Sequence, residues 1–236
     1  LPLVRRNRPP ADQHADLGDG SGTVRPVTTR AAAIKHGYTT GARSLASRSV
    51  LGLTRTRVTP NALTAAGVTL CFAASVLVLF EDRNEILFYW LAAAVFVAGS
   101  LLDILDGALA RAGGKTTRFG AYLDSTTDRV SEGFMLTAIA YILATDHQPV
   151  FVAVAMAAMA GSFLVSYTRA KAESLGLRGD VGIGSRAERV VVITAGLVLA
   201  PWGVLPWALV LLACTAWVTV VQRVLYVRKQ LMEVES

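Results

Sequence analysis

The sequence predicts an all-α integral membrane protein: six transmembrane helices preceded by an N-terminal juxtamembrane amphipathic helix. Three observations carry this fold class. The chain of 236 residues is 53% hydrophobic, and its mean hydropathy is +0.47. Charged residues make up only 17%, below the ~25% typical of soluble proteins, and the apolar residues fall in blocks long enough to cross a bilayer. The basic residues are unevenly placed. With the helices set out below, every Lys and Arg except Arg83 lies in or flanks the N-terminal region, the loops after the second and fourth spans, or the C-terminal tail. That asymmetry predicts both termini on the cytoplasmic side of the cell membrane. A net charge of +6 is therefore read as topology. Nucleic-acid binding is the poorer reading, because no basic patch is interleaved with exposed aromatics.

Residues 1–35 hold Pro, Gly, Asp and Arg without apolar periodicity and are expected to form a loosely ordered or disordered cytoplasmic tail. Lacking a continuous apolar run, this stretch is not expected to act as a secretory signal. The membrane domain is expected to fill residues 36–236. It opens with a mixture of Leu45, Val50, Leu51 and Leu53 among Arg43, Arg48, Arg55 and Arg57, which suits a helix over 36–57 lying at the membrane surface.

Thr59-Pro60-Asn61 opens the first span. Thr59 can cap the helix and Pro60 fits its first turn, so the span is expected over about residues 61–80. After the polar turn EDRNE a second span covers about 86–111 and a third about 119–145. A short DHQP link leads to a fourth over about 150–173. A Gly-rich cytoplasmic loop then re-enters the membrane as a short fifth span, about 187–201. Pro201 and Pro206 bracket the turn to the sixth, about 207–225, with Trp202 and Trp207 at the far interface. Cys71 and Cys214 both sit in apolar spans and are read as small core residues.

The chemistry is concentrated at the junction of the second and third spans, LLDILDGALARAGGKTTRFGAYLDSTTDRVSEG, residues 101–133. Asp103 and Asp106 are three apart and share one helix face. Gly120, Asp124 and Asp128 are each four apart and stack on one face of the next helix. The link AGGKTTRF between them lets the two helices fold back antiparallel, so the four carboxylates can converge. Like charges packed together in an apolar setting cannot all stay ionised unless cations neutralise them. Oxygen-only ligands favour a hard divalent cation, Mg²⁺ or Mn²⁺.

The same residues form a family pattern. Asp106-Gly107-x-x-Ala110-Arg111, eight further residues, then Gly120-x-x-x-Asp124-x-x-x-Asp128 resembles the signature of the CDP-alcohol phosphatidyltransferases, and Asp103 completes its fuller form. The resemblance covers roughly residue 59 to the C-terminus. It implies an enzyme in which an alcohol attacks the diphosphate of a CDP-linked lipid and CMP is released. It implies Asp103, Asp106 and Asp124 as metal ligands, and Asp128 as the catalytic base and a further ligand. Two cations are expected, since two can neutralise a diphosphate and stabilise the attacking and leaving oxygens. Gly107 and Gly120 are implied where backbone must approach the nucleotide, Arg111 as a phosphate partner, and Thr117 with Asn61 and Thr64 as lining for the cytidine diphosphate. A homodimer is also implied by the family.

The acceptor must be chosen elsewhere. The stretch SYTRAKAESLGLRGD…SRAER, with Gln222-Arg223 in the last span, is similar to the corresponding region of phosphatidylinositol phosphate synthases and their archaeal-lipid relatives. That similarity implies Ser166, Arg169, Arg189 and Arg223 around an inositol-phosphate pocket, although Arg169 precedes Lys171 where the pattern has Lys before Arg. The expected partners are thus CDP-diacylglycerol, a phosphorylated alcohol and the bilayer, with the site facing the cytoplasm. Two alternatives stay open on sequence alone. One is the same reaction with glycerol 3-phosphate; the other is a cation transporter using the aspartates as its ion site, which would place them near mid-membrane.

Overall fold

The computed structural model describes residues 59–114 and 116–235, and among these it is all-helical. The expected tail over 1–35 and the interfacial helix over 36–57 lie outside the described residues. Six α-helices follow in order: α1 (Pro60–Val78), α2 (Glu85–Ala112), α3 (Arg118–Thr145), α4 (Pro149–Ser174), α5 (Arg186–Val198) and α6 (Leu205–Glu235). Short 3-10 turns at Glu81–Arg83 and Ala200–Trp202 join α1 to α2 and α5 to α6.

Four of the helices, α1, α2, α3 and α5, begin at a residue whose side chain satisfies a free N–H group. The Thr59 side chain accepts from Ala62 N at 3.3 Å, with Pro60 in the first turn of α1. Asn84 does the same for α2 from Leu87 N at 3.1 Å, and Thr117 for α3 from Gly120 N at 2.9 Å. Ser185 and Glu188 form a reciprocal capping box at α5. Gly203 takes the left-handed conformation (φ 73°) in the turn into α6, where a side chain would be strained.

Four helices, α1, α2, α4 and α6, are long and apolar enough to cross a membrane. The protein is therefore a helical membrane protein. The other two fall short for different reasons. α5 has 13 residues, about 20 Å at 1.5 Å per residue, and the first half of α3 carries Asp124, Asp128, Arg129 and Glu132. Large apolar side chains face outward, including Trp90, Ile104, Trp207 and Val221, as expected where lipid is the solvent. The interior is packed from Phe96 on α2, Met135, Leu136 and Ile139 on α3, Leu197 on α5, and Leu209 and Leu212 on α6.

The position of the site is set by how closely α1 crosses α2. A Cβ on Gly67 would lie 2.9 Å from the Gly99 carbonyl oxygen, and one on Gly99 would lie 2.7 Å from Cys71 Sγ and 2.8 Å from the Gly67 carbonyl. Only hydrogens fit there, so the two backbones touch, as small residues allow in membrane helices. One turn before Gly67 on α1, the contact brings Thr64 against the carboxylate-bearing end of α2.

Candidate active site

Asp103 and Asp106 project from the last turns of α2 and are 6% and 3% exposed. Asp124 projects from the second turn of α3, which starts next to the end of α2. One oxygen from each of these three carboxylates lies within 4.8 Å of the others. The helix-face reasoning from the sequence thus holds for the triad: three-residue spacing on one helix meets the four-residue series on the next. Thr64 Oγ1 donates a hydrogen bond to Asp106 Oδ2.

Asp128, one turn beyond Asp124, stands beside the triad. Its Oδ1 is 2.9 Å from Arg186 Nη2 as an ion pair, but the approach is not aligned for a hydrogen bond, and that buried oxygen has no hydrogen-bond partner among the described residues. The other arm of the same guanidinium, Nη1, pairs with Asp103 Oδ2. One arginine therefore serves two carboxylates. No ion pair reaches Asp106 or Asp124 among the described residues.

This donor set fits a divalent metal. Two buried and two half-buried carboxylates converge with a single guanidinium between them, a charge excess that an oxygen-preferring cation relieves.

Beside the triad lies a cavity of about 360 Å³ between the start of α1, the end of α2 and the start of α3. Asn61, Thr64, Gly107, Arg111, Thr117 and Gly120, the residues expected from sequence to hold the cytidine diphosphate, all line it, together with Asp106 and Asp124. The N-termini of α1 and α3 open into this cavity, and helix N-termini favour anions through free N–H groups and the helix dipole. Gly107 and Gly120 keep its walls low. A Cβ at Gly120 would press to 3.1 Å on Thr117 Oγ1, the atom that caps α3.

Each of the three arginines expected at the acceptor already has a protein partner. Arg189 is 4% exposed and its fork lies on Glu132: Nε to Oε1 at 2.8 Å and Nη2 to Oε2 at 2.9 Å, while Nη1 donates to the Gly184 carbonyl at 2.8 Å. Arg223 donates through Nε to the Val181 carbonyl at 2.8 Å and through Nη1 to the Val165 carbonyl. Both arginines thereby fasten the α4–α5 loop. Arg169 is exposed and pairs with Glu173 one turn away, and Ser166 lines a separate groove between α3 and α4 with Arg129 and Tyr167.

Two residues at this site are absent from the set expected from sequence. Arg186 was legible only as one cation of the basic loop, and nothing local says that it reaches the aspartates. Glu132 continues the series Gly120, Asp124, Asp128 by another four residues, so the spacing itself points to it.

Two helices presenting a carboxylate cluster beside an anion-ready cavity suit an enzyme of phosphotransfer, and the chain belongs to the CDP-alcohol phosphatidyltransferase family, whose model matches residues 57–222. Among its relatives is the archaetidylinositol phosphate synthase of Methanothermobacter thermautotrophicus, 40% identical over 143 residues, which are 59% of this chain and 70% of that one. The fold matches the crystal structure of Mycobacterium tuberculosis phosphatidylinositol phosphate synthase with CDP-DAG bound, with a TM-score of 0.68 and 33% identity over 78% of this chain and 94% of that one. It also matches the same enzyme in complex with manganese and citrate, with a TM-score of 0.68 and 34% identity over 77% of this chain and 88% of that one.

Proposed function

We propose that this chain transfers the phosphatidyl group of CDP-diacylglycerol to a hydroxyl of inositol phosphate, forming phosphatidylinositol phosphate and releasing CMP, at the cytoplasmic face of the plasma membrane. The observation that carries the reading is the Asp103–Asp106–Asp124 triad set against a cavity lined by both helix N-termini and by Arg111. The related enzyme of known structure was crystallised with CDP-DAG and, separately, with manganese, which supports the same donor and a divalent metal here.

Asp103, Asp106 and Asp124, with Asp128 as a fourth carboxylate, would hold two ions, Mg²⁺ or Mn²⁺. When bound, these ions neutralise the diphosphate and stabilise charge on the attacking and leaving oxygens. Arg111 and the N-termini of α1 and α3 bind the nucleotide phosphates, Asn61, Thr64 and Thr117 orient the nucleotide, and Gly107 and Gly120 let it approach the backbone. The acceptor hydroxyl forms a new O–P bond to the phosphatidyl phosphorus as the O–P bond to CMP breaks. Asp128 takes the hydroxyl proton; its buried Oδ1 accepts no hydrogen bond from the described residues, which suits that role.

Arg189 and Arg223, with Ser166 and Arg169 at the edge, bind the acceptor phosphate. Arg169 holds only an exposed pair with Glu173, an interaction worth little, and exchanges it readily for a phosphate. All six helices cross the bilayer, α3 and α5 joining the four long apolar ones, and the active unit is a homodimer as in the family pattern. The test is CMP release from CDP-diacylglycerol by the purified protein against inositol phosphate, inositol, glycerol 3-phosphate and serine. Turnover with inositol phosphate well above the other three is expected; preference for glycerol 3-phosphate or serine would refute the acceptor assignment.

A further inference from the structure

Glu132 is a carboxylate that the reaction as described leaves unused. It is 7% exposed, lies one turn beyond Asp128 on the same face of α3, and gives both of its oxygens to Arg189. A buried glutamate in a membrane helix is costly unless it is paired and hydrogen-bonded. Here it is satisfied in the strongest available way, a two-point fork with a guanidinium.

The geometry points to Glu132 as a positioning residue for acceptor recognition, fixing the plane of Arg189 so that the remaining N–H groups face the acceptor phosphate. This rests on the proposed role of Arg189. A guanidinium carries five N–H donors. Glu132 takes two and the Gly184 carbonyl takes a third, leaving two for an anion. Because three donors are already tied, the arginine gives up little side-chain freedom when the anion arrives, which is the physical content of preorganisation.

The tie extends beyond the pair. Gly184 N donates to Thr219 Oγ1 at 2.9 Å, and Thr219 is fully buried on α6. A Cβ at Gly182 would come within 2.3 Å of Thr219 Cγ2, so the loop lies directly on α6. Glu132, Arg189, Gly184 and Thr219 thereby link α3, α5, the α4–α5 loop and α6. The register is also ordered. Arg186 and Arg189, three apart on α5, meet Asp128 and Glu132, four apart on α3, so the two arginines cross to α3 as successive rungs. The lower rung serves the proton acceptor and the upper rung the acceptor phosphate, which fixes one relative to the other.

The test measures kcat and both KM values on the full-length protein for wild type, E132Q, E132D, R189A and E132Q/R189A. E132Q is expected to raise the KM for inositol phosphate roughly tenfold, the scale of one lost charged hydrogen bond, while the KM for CDP-diacylglycerol stays unchanged. E132D keeps the charge and is expected to recover part of the loss. On the R189A background E132Q should add nothing further, because Glu132 acts through Arg189.

A wild-type acceptor KM in E132Q overturns the inference, and so does a rise that multiplies with that of R189A. A thermal destabilisation with no change in acceptor KM reduces Glu132 to a structural partner and overturns it equally. R189A with an unchanged acceptor KM overturns instead the underlying assignment of Arg189 to the phosphate. Should E132Q not fold, E132D decides: a raised acceptor KM supports the inference and a wild-type value overturns it.

Discussion

Replacing Arg186 by Gln should destabilise the metal-free protein and tighten metal binding at the same time. In the structure Arg186 is the one cation in contact with the aspartates among the described residues, touching Asp103 and Asp128 together. Asp103 is 6% exposed and the Arg186 side chain 27%, so the contact is mostly shielded from water. Removing one partner of a buried ion pair costs about 3–5 kcal/mol; partial exposure of the arginine puts the expectation near the lower end, about 3 kcal/mol. For a chain of this size that is a fall in Tm of roughly 6–12 °C.

With a divalent cation bound, the carboxylates have another counter-charge, and the cost should drop to about 1 kcal/mol, the ordinary scale of a lost hydrogen bond. By linkage the difference of about 2 kcal/mol appears as a gain in metal affinity, on the order of thirtyfold. Two assays close the cycle: thermal unfolding in EDTA and in saturating Mn²⁺, and Mn²⁺ titration followed by electron paramagnetic resonance. An equal fall in Tm with and without Mn²⁺, together with an unchanged Mn²⁺ affinity, would refute the reasoning that Arg186 and the metal share the same carboxylates.

Other outcomes follow from the same geometry. Asp128→Asn should abolish transfer while CDP-diacylglycerol binding, measured by equilibrium dialysis, stays near wild type, because the amide keeps the shape but accepts no proton. Chelation with EDTA should stop turnover, and added Mg²⁺ or Mn²⁺ should restore it. Gly99→Ala puts a methyl 2.7 Å from Cys71 Sγ and 2.8 Å from the Gly67 carbonyl. It should lower stability by about 1–3 kcal/mol, the usual cost of overpacking, and raise the KM for CDP-diacylglycerol by moving Thr64 away from Asp106.

The helices were legible in the sequence because membrane helices advertise both length and ends. Thr59-Pro60 and Thr117 cap α1 and α3 where the sequence places those starts. Part of the cavity lining was legible as well, because Asp106, Gly107, Ala110, Arg111, Gly120 and Asp124 all belong to one signature on neighbouring turns of two helices. Two features resisted. Span counting by hydropathy falters at α3, since the polar residues that make the site also lower its apolar content. The ion pairs Arg186–Asp103 and Arg189–Glu132 join residues 83 and 57 positions apart, and no local pattern states which arginine of the SRAER stretch meets which carboxylate. Arg186 and Arg189 lie one turn apart on the same face of α5, so sequence spacing alone assigns them the same surroundings. Only the register of α5 against α3 separates the rung at the aspartates from the rung at Glu132.

The central claim is that Asp103, Asp106 and Asp124 form one metal centre against which the diphosphate reacts. The most direct measurement is anomalous diffraction at the manganese edge from crystals of the wild-type protein grown in Mn²⁺ with CDP-diacylglycerol. The account predicts strong density among these three carboxylates, lost in Asp106→Asn, with the diphosphate of the lipid against it. Manganese bound elsewhere, or a diphosphate seated away from the triad, would contradict it.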